Sequence, residues 1–189
     1  MLVLASASPR RQELLHNAGI AFVVEPTDIP EIAQQGELPP DFAERMACEK
    51  AEAVFGARPN DFVLGADTIV VVDGTILGKP RDSADAARML RLLSGCTHQV
   101  ITGVCLMGPE LRTGSQDIRS ETTLVTMAKL SDEDIRSYIA TGEPLDKAGA
   151  YGIQGMASRW IPRIEGDYFN VVGLPVALVR RMLHDHGVK

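Results

Sequence analysis

The chain has 189 residues, 45% of them hydrophobic, which predicts one domain, spanning 1–189, with a proper hydrophobic core. Its formal net charge of −6 argues against a nucleic-acid partner, because non-specific binding to a polyanion needs an extended basic surface. No apolar stretch is long enough to span a membrane and no signal peptide is apparent, so we expect no membrane partner and a cytoplasmic location.

Strand and helix patterns alternate along the first half of the chain and mix thereafter. In chain order we predict strand 2–6, helix 9–18, strand 21–25, helix 40–55, strands 62–72 and 75–77, helix 83–93 capped by Ser83, strands 97–107 and 116–128, helix 131–140, a strand near 159–164 and a last helix from Pro175. This order predicts an α/β fold with a mixed sheet flanked by helices, in two lobes with a central cleft. The Pro- and Gly-containing stretch 26–39 predicts a mobile loop.

The first predicted helix begins with an unusual charge pattern. Ser8 is its predicted N-cap and Pro9 its first helical residue, and both are followed by Arg10 and Arg11. Helix first turns favour acids, so two arginines there indicate an anion, held by free N–H groups, a hydroxyl and guanidinium groups. The alternative is that one or both arginines point to solvent.

An acid interrupts the strand predicted over 62–72. Asp67, followed by Thr68, lies in an otherwise apolar run. Burying a carboxylate without a partner costs several kcal/mol, so Asp67 should bind a metal, pair with a cation or act on a proton. Lys79 and Arg81 follow in the sequence as nearby cations. The alternative is a structural ion pair between Asp67 and a lysine.

Lys50 lies in the middle of the apolar stripe of helix 40–55. A lysine on the core-facing side of a helix is a candidate phosphate ligand. The alternative is that its stem covers apolar surface while its ammonium group extends to solvent, which needs no function.

The segment 144–155 combines three glycines with Asp146, Lys147, Tyr151 and Gln154. Glycines allow a close approach to a ligand, and these side chains supply directed polar contacts, so the segment predicts a binding loop for a small polar molecule. The alternative is a Gly-rich turn with a solvated ion pair.

Six segments together resemble the Maf family of nucleoside triphosphate pyrophosphatases. They are Ser-Ala-Ser-Pro-Arg-Arg at 6–11, Glu-Lys-Ala at 49–51, Gly-Ala-Asp-Thr at 65–68, Gly-Lys-Pro-Arg at 78–81, the loop 144–155 and Asn-Val-Val-Gly-Leu-Pro at 170–175. Their order and spacing cover almost the whole chain. The loop version is similar to that of the branch acting on dTTP and UTP, and differs from the branch acting on 7-methyl-GTP.

The resemblance implies a Maf/ITPase-like fold and a hydrolase that converts a nucleoside triphosphate, its small-molecule partner, to the monophosphate and pyrophosphate with Mg²⁺ or Mn²⁺. It makes Asp67 the catalytic proton acceptor. The substrate-binding residues it implies fall into two groups: Arg10, Thr68 and Gln154 at positions associated with substrate choice, and Ser8, Arg11, Lys50 and Lys79 near the phosphates. A role in cleansing the nucleotide pool follows, and a homodimer is left open.

The implied metal ligands are Glu31 and Asp67. Glu31 matches the second acid of a family Asp-Glu pair, but Pro30 stands where the family has the first acid. Asp28 lies two residues before Pro30, and the proline restricts how both acids reach one ion.

Two other functions are compatible with the same loops. One is a nucleotide-binding regulator of cell division that does not turn its ligand over. The other is a pyrophosphatase for modified purine triphosphates, which should have a roomier base pocket than Gln154 and Thr68 suggest.

Overall fold

A computed structural model describes residues 1–109 and 116–188. The strands are β1 Leu2–Leu4, β2 Val23–Val24, β3 Phe62–Val72, β4 Thr75–Leu77, β5 Thr97–Met107, β6 Asp117–Thr126 and β7 Arg163–Glu165. The helices are α1 Pro9–Asn17, α2 Pro39–Phe55, α3 Ser83–Leu93, α4 Asp132–Ala140, α5 Tyr168–Val172 and α6 Val176–Asp185, with short 3-10 helices at Glu143–Asp146, Ala148–Ala150 and Met156–Trp160. Within these residues, no helix is both long and apolar enough to cross a membrane.

The strands of the described residues form one mixed sheet of seven members. Its order is β2-β1-β3-β5-β6-β7, with β4 added to β3. The strand β1 runs parallel to both β2 and β3, whereas β4 and β7 pair antiparallel with β3 and β6. The predicted α/β class with a mixed sheet and helices is therefore confirmed.

The chain forms two compact units. Unit 1 comprises 1–68, 102–121 and 173–189, and unit 2 comprises 69–101 and 122–172, so the division falls within β3, β5 and β6. Each unit has its own apolar core: α2 packs on β1, β3 and β5 in unit 1, and α3 and α4 pack with strand residues in unit 2. The single domain and the central cleft stay predictions.

Most predicted elements match, with two local errors and one helix missed. The N-cap of α3 is Asp82 and not Ser83, since the Asp82 carboxylate accepts the Asp85 N–H at 2.7 Å. The strand predicted near 159–164 begins later, as β7 at Arg163, because Arg159 and Trp160 end a 3-10 helix whose buried indole packs edge-on against Tyr138. The short helix α5 was not predicted at all.

Helix α2 lies unusually close to the sheet at two glycines. A Cβ atom at Gly65 in β3 would overlap the carbonyl oxygen of Ala47, and one at Gly103 in β5 would overlap the backbone of Ala43. At both glycines the backbone of α2 therefore packs directly on the backbone of the strand. Helix α2 carries Lys50 and strand β3 carries Asp67, so the contact of α2 with Gly65 determines how close the two charged residues come.

Replacing Gly65 with alanine is expected to lower the free energy of unfolding by about 1–3 kcal/mol, because overpacking forces the helix and the strand apart. Urea denaturation measures this change. Gly56→Ala is the matched control, since Gly56 ends α2 with ordinary helical angles and a Cβ there would meet its nearest atom at 4.0 Å. Equal effects of the two substitutions would contradict the close-packing argument.

Candidate active site

The ammonium group of Lys50 joins two carboxylates in unit 1. Its Nζ lies 2.5 Å from Asp67 Oδ1 and 2.7 Å from Glu31 Oε1. The Lys50 side chain is only 9% exposed, so it does not extend to solvent. The ion pair named as the alternative for Asp67 is therefore present, and its partner is Lys50 from α2. Arg81, another cation named in the sequence, pairs with Asp85 at 3.3 Å within unit 2.

Burial controls the acidity of Asp67. The residue is 4% exposed, and loss of solvation raises the pKa of its carboxyl group above the ordinary value. Lys50 and Arg11 act in the opposite direction, whereas the charge of Glu31 adds to the rise. A carboxylate with a raised pKa holds an abstracted proton more readily at neutral pH, which is what a general base requires.

The charges of Lys50, Arg11, Asp67 and Glu31 balance. Lys50 and Arg11 contribute two cations, and Asp67 and Glu31 contribute two carboxylates. This group alone therefore offers no net positive charge to an incoming anion. A polyphosphate ligand needs additional cations, for which Arg10 at the start of α1 is the nearest in the sequence.

The guanidinium group of Arg11 donates hydrogen bonds to three different residues. It donates to Gly173 O at 2.8 Å, to Ser6 Oγ at 3.2 Å and to Thr68 Oγ1 at 3.0 Å, and it is 9% exposed. These bonds bring together the residues at 6–11, 65–68 and 170–175 that the sequence singled out. The predicted contact of Arg11 with phosphate remains a prediction, and its observed contacts orient the hydroxyl of Thr68.

Thr68 lies at the centre of this arrangement. Its hydroxyl is 2.9 Å from Thr102 Oγ1 and 3.2 Å from Gly173 O, besides accepting from Arg11. Gly173 has a φ of +129°, a conformation that side chains with a Cβ rarely adopt, so a glycine is required there. The substrate-choice role implied for Thr68 stays a prediction.

The N-terminus of α1 follows the sequence pattern in part. Ser8 is the N-cap and Pro9 the first helical residue, but the Ser8 hydroxyl makes no capping hydrogen bond. Its backbone N–H instead donates to Ser6 Oγ at 3.3 Å. Arg10 is half-buried and keeps access to solvent that Arg11 lacks. Phosphate contacts of Ser8 and Arg10 are untested predictions.

The segment that carries Glu31 is held to α2 by Arg45. The guanidinium group bonds both carboxylate oxygens of Glu37, at 2.6 and 2.8 Å, and the carbonyl of Ile32 at 3.0 Å. On the helix itself it reaches Glu49 at 2.7 Å. Sequence reasoning missed this anchor, although the i,i+4 spacing of Arg45 and Glu49 was a usable signal.

In unit 2, one backbone hydrogen bond joins two of the six segments that resemble the family. Gly149 N donates to Gly78 O at 3.0 Å, which links segment 78–81, carrying an exposed Lys79, to segment 144–155. Within the second segment Lys147 donates to Asp146 at 2.6 Å and to the Glu143 carbonyl at 2.7 Å. Gln154 is exposed. Ligand contacts of Lys79 and Gln154 remain predictions.

Tyr151 does not face a ligand as the binding-loop interpretation expected. It is 5% exposed, and its hydroxyl lies 2.7 Å from Nε2 of His98, whose ring packs edge-on against the phenol. Burial lowers the pKa of His98 to about 4 and raises that of Tyr151, so both are neutral at physiological pH. The pair fixes the loop to β5.

Comparison with known proteins identifies the family. The family model described as Maf-like protein matches residues 1–186. The chain belongs to the Maf-like family. Among curated members, a protein of Koribacter versatilis named dTTP/UTP pyrophosphatase is 61% identical over 187 residues, which are 99% of this chain and 95% of the relative. A protein of the same name from Symbiobacterium thermophilum is 53% identical over 186 residues, covering 98% and 94%.

This Maf-like chain also resembles a solved structure, in its fold alone. The structure of the Staphylococcus aureus Ham1 protein superimposes with a TM-score of 0.51 over 98% of each chain. The sequence identity is 15%, so the likeness concerns the arrangement of the elements and not the chemistry.

Proposed function

We propose that this protein is a hydrolase that converts dTTP and UTP to the nucleoside monophosphates and pyrophosphate, in cleansing of the nucleotide pool. The observation that carries the proposal is the buried Asp67, bonded to Lys50 and associated with Glu31, in a chain 61% identical to a relative named dTTP/UTP pyrophosphatase. A purely anion-binding protein would avoid a buried acid at this place. The cytoplasmic location, the homodimer and the absence of a nucleic-acid partner stay predictions.

In the proposed reaction the carboxylate of Asp67 takes a proton from water as that water attacks the α-phosphorus. A bond forms between the water oxygen and phosphorus, the bond to the bridging oxygen breaks, and pyrophosphate leaves with the electron pair. Lys50 holds the Asp67 carboxylate in one orientation through its 2.5 Å contact. Arg10, Lys50 and Lys79 stabilise the charge that develops on the phosphates.

The residues of unit 1 fit a divalent cation. Carboxylate oxygens of Asp67 and Glu31 already converge on one positive centre, the ammonium of Lys50. Mg²⁺ is commonly held by one or two carboxylates together with substrate phosphates, so Asp67 and Glu31 would hold it here. When bound, the ion would supply positive charge against the phosphate oxygens, which the balanced charges around Lys50 do not. No cluster of three or more ligand side chains occurs in 1–109 and 116–188.

One assay tests the proposed function. Purified protein is incubated with dTTP, UTP, CTP, GTP and 7-methyl-GTP in Mg²⁺ or Mn²⁺, and pyrophosphate and phosphate are quantified separately. We expect pyrophosphate release from dTTP and UTP well above CTP, with purine substrates poor. Tight binding without turnover would instead favour the regulator, and a preference for purines would favour the third alternative.

Gln154→Ala is expected to lower the selectivity for dTTP over CTP. The Gln154 amide carries a donor and an acceptor, which match N3–H and an adjacent carbonyl of thymine or uracil. Cytosine lacks N3–H and presents an amino group, so a mispaired polar edge costs about 1–3 kcal/mol in a dry pocket. The ratio of kcat/KM for dTTP and CTP measures the effect. An unchanged ratio would remove Gln154 from base recognition.

A further inference from the structure

Gln154 lies on a tight turn of unit 2. The N–H of Gly155 donates to Gly152 O at 3.1 Å, so residues 152–155 reverse the chain with Gln154 in its second half, exposed to solvent. An exposed amide on a glycine-flanked turn has many accessible orientations. Selective pairing with one base edge needs a single orientation of the amide. The turn must therefore be fixed by contacts with residues outside 152–155.

The first end of the turn is held by a tyrosine of α4. The Tyr138 side chain is fully buried, and its hydroxyl accepts the N–H of Gly152 at 3.1 Å. The same hydroxyl donates to Glu143 Oε1 at 2.8 Å. One phenol oxygen therefore connects helix α4, the turn and an acid.

The second end is held by that acid. Glu143 Oε2 accepts the N–H of Met156 at 3.1 Å, immediately after the turn. A Cβ at Gly155 would overlap the Glu143 carboxylate, so the turn lies directly on this side chain. The backbone carbonyl of Glu143 also accepts the ammonium of Lys147 at 2.7 Å, which fixes the preceding segment.

The hydrogen bonds form one unbroken chain, from Gly152 N through Tyr138 Oη and the Glu143 carboxylate to Met156 N. We propose that Tyr138 and Glu143 are positioning residues for base selection, which hold Gln154 in the orientation that discriminates uracil and thymine from cytosine. The inference rests on the proposed function, because it assigns a cause to the selectivity of that same site.

A merely structural role makes a different prediction. Loss of general support would lower stability and reduce turnover of every substrate in proportion. Loss of positioning would instead change the ratio of kcat/KM between dTTP and CTP. This change would occur only in proteins that retain Gln154.

Tyr138→Phe tests the difference. It removes the hydroxyl and leaves the ring, and we expect the dTTP to CTP ratio of kcat/KM to fall about fivefold to tenfold. In the Gln154→Ala background the same substitution should leave the ratio unchanged. Hydrogen exchange at the Gly152 and Met156 amides should accelerate. Tyr168→Phe, at an exposed tyrosine of the same unit, is the matched control and should change none of these readouts.

Glu143→Leu gives an independent test that also applies if Tyr138→Phe does not fold. Leucine has no polar side-chain atom, so the bonds from the Tyr138 hydroxyl and from the Met156 N–H are both lost. Its dTTP to CTP ratio should also fall. A wild-type ratio in either folded variant overturns the inference while leaving the proposed function intact. A wild-type protein without preference for dTTP over CTP overturns the proposed function, and the inference with it.

Discussion

Asp67→Asn is expected to reduce pyrophosphate release from dTTP by about 10²–10⁴-fold, the usual contribution of a general base. Asparagine keeps the size and shape of the side chain but cannot accept the proton of the attacking water. Stopped assays of pyrophosphate with saturating dTTP measure the loss. Binding of dTTP, followed by equilibrium titration, should persist because the cations proposed to bind the phosphates are unchanged.

Folding of this variant should also be retained. Burial raises the pKa of Asp67, which means that its charged form is disfavoured in the folded state, and a neutral amide relieves that cost. Asp73→Asn is the matched control: Asp73 is exposed in the β3–β4 turn at a φ of +49°, which asparagine tolerates. Near-normal turnover in Asp67→Asn, with Asp73→Asn also active, would refute the role of Asp67.

Lys50→Met should lower kcat/KM for dTTP by about tenfold to a hundredfold, since a lost charge-assisted hydrogen bond is worth about 1.5–3 kcal/mol. It should also move the acid limb of the pH profile. Lys50 lowers the pKa of Asp67, so its removal raises that pKa further. The ionised carboxylate then exists only at higher pH, and activity falls off earlier as the solution is acidified. A full pH profile of kcat/KM measures the displacement.

Lys129→Met, at an exposed lysine, is the control for exchanging a lysine for an apolar side chain. Thermal unfolding of Lys50→Met measures its stability, which should fall because the buried Asp67 carboxylate loses its cation. An acid limb at the wild-type position in folded Lys50→Met would show that Lys50 does not set the acidity of the catalytic group.

The strand β3 was predictable to the residue and β5 closely, because largely apolar runs bounded by turn residues define their ends. The presence of a buried acid at Asp67 was predictable for the same reason, since a polar residue stands out in such a run. Its partner was not. The partner, Lys50, lies on a helix that precedes β3, and only the packing of α2 on the sheet selects it over the lysines and arginines elsewhere in the chain.

Residues whose roles depend on contacts distant in sequence escaped prediction. Tyr138 lies on the apolar face of α4 and looks like an ordinary core residue, yet its hydroxyl reaches a turn 14 residues later. Arg11 looked available to an anion, but its partners include a carbonyl 162 residues away. Local propensity carries no information on either contact, because both form only when separate elements assemble.

The contact of α2 with Gly65 and Gly103 affects which substitutions the protein tolerates. Core side chains change volume readily over evolution, and helices usually shift to accommodate them. Here the helix rests on backbone atoms, whose dimensions no substitution elsewhere alters. We therefore expect substitutions of apolar residues around α2 to change the distance between Lys50 and Asp67 little, provided that positions 65 and 103 stay glycine.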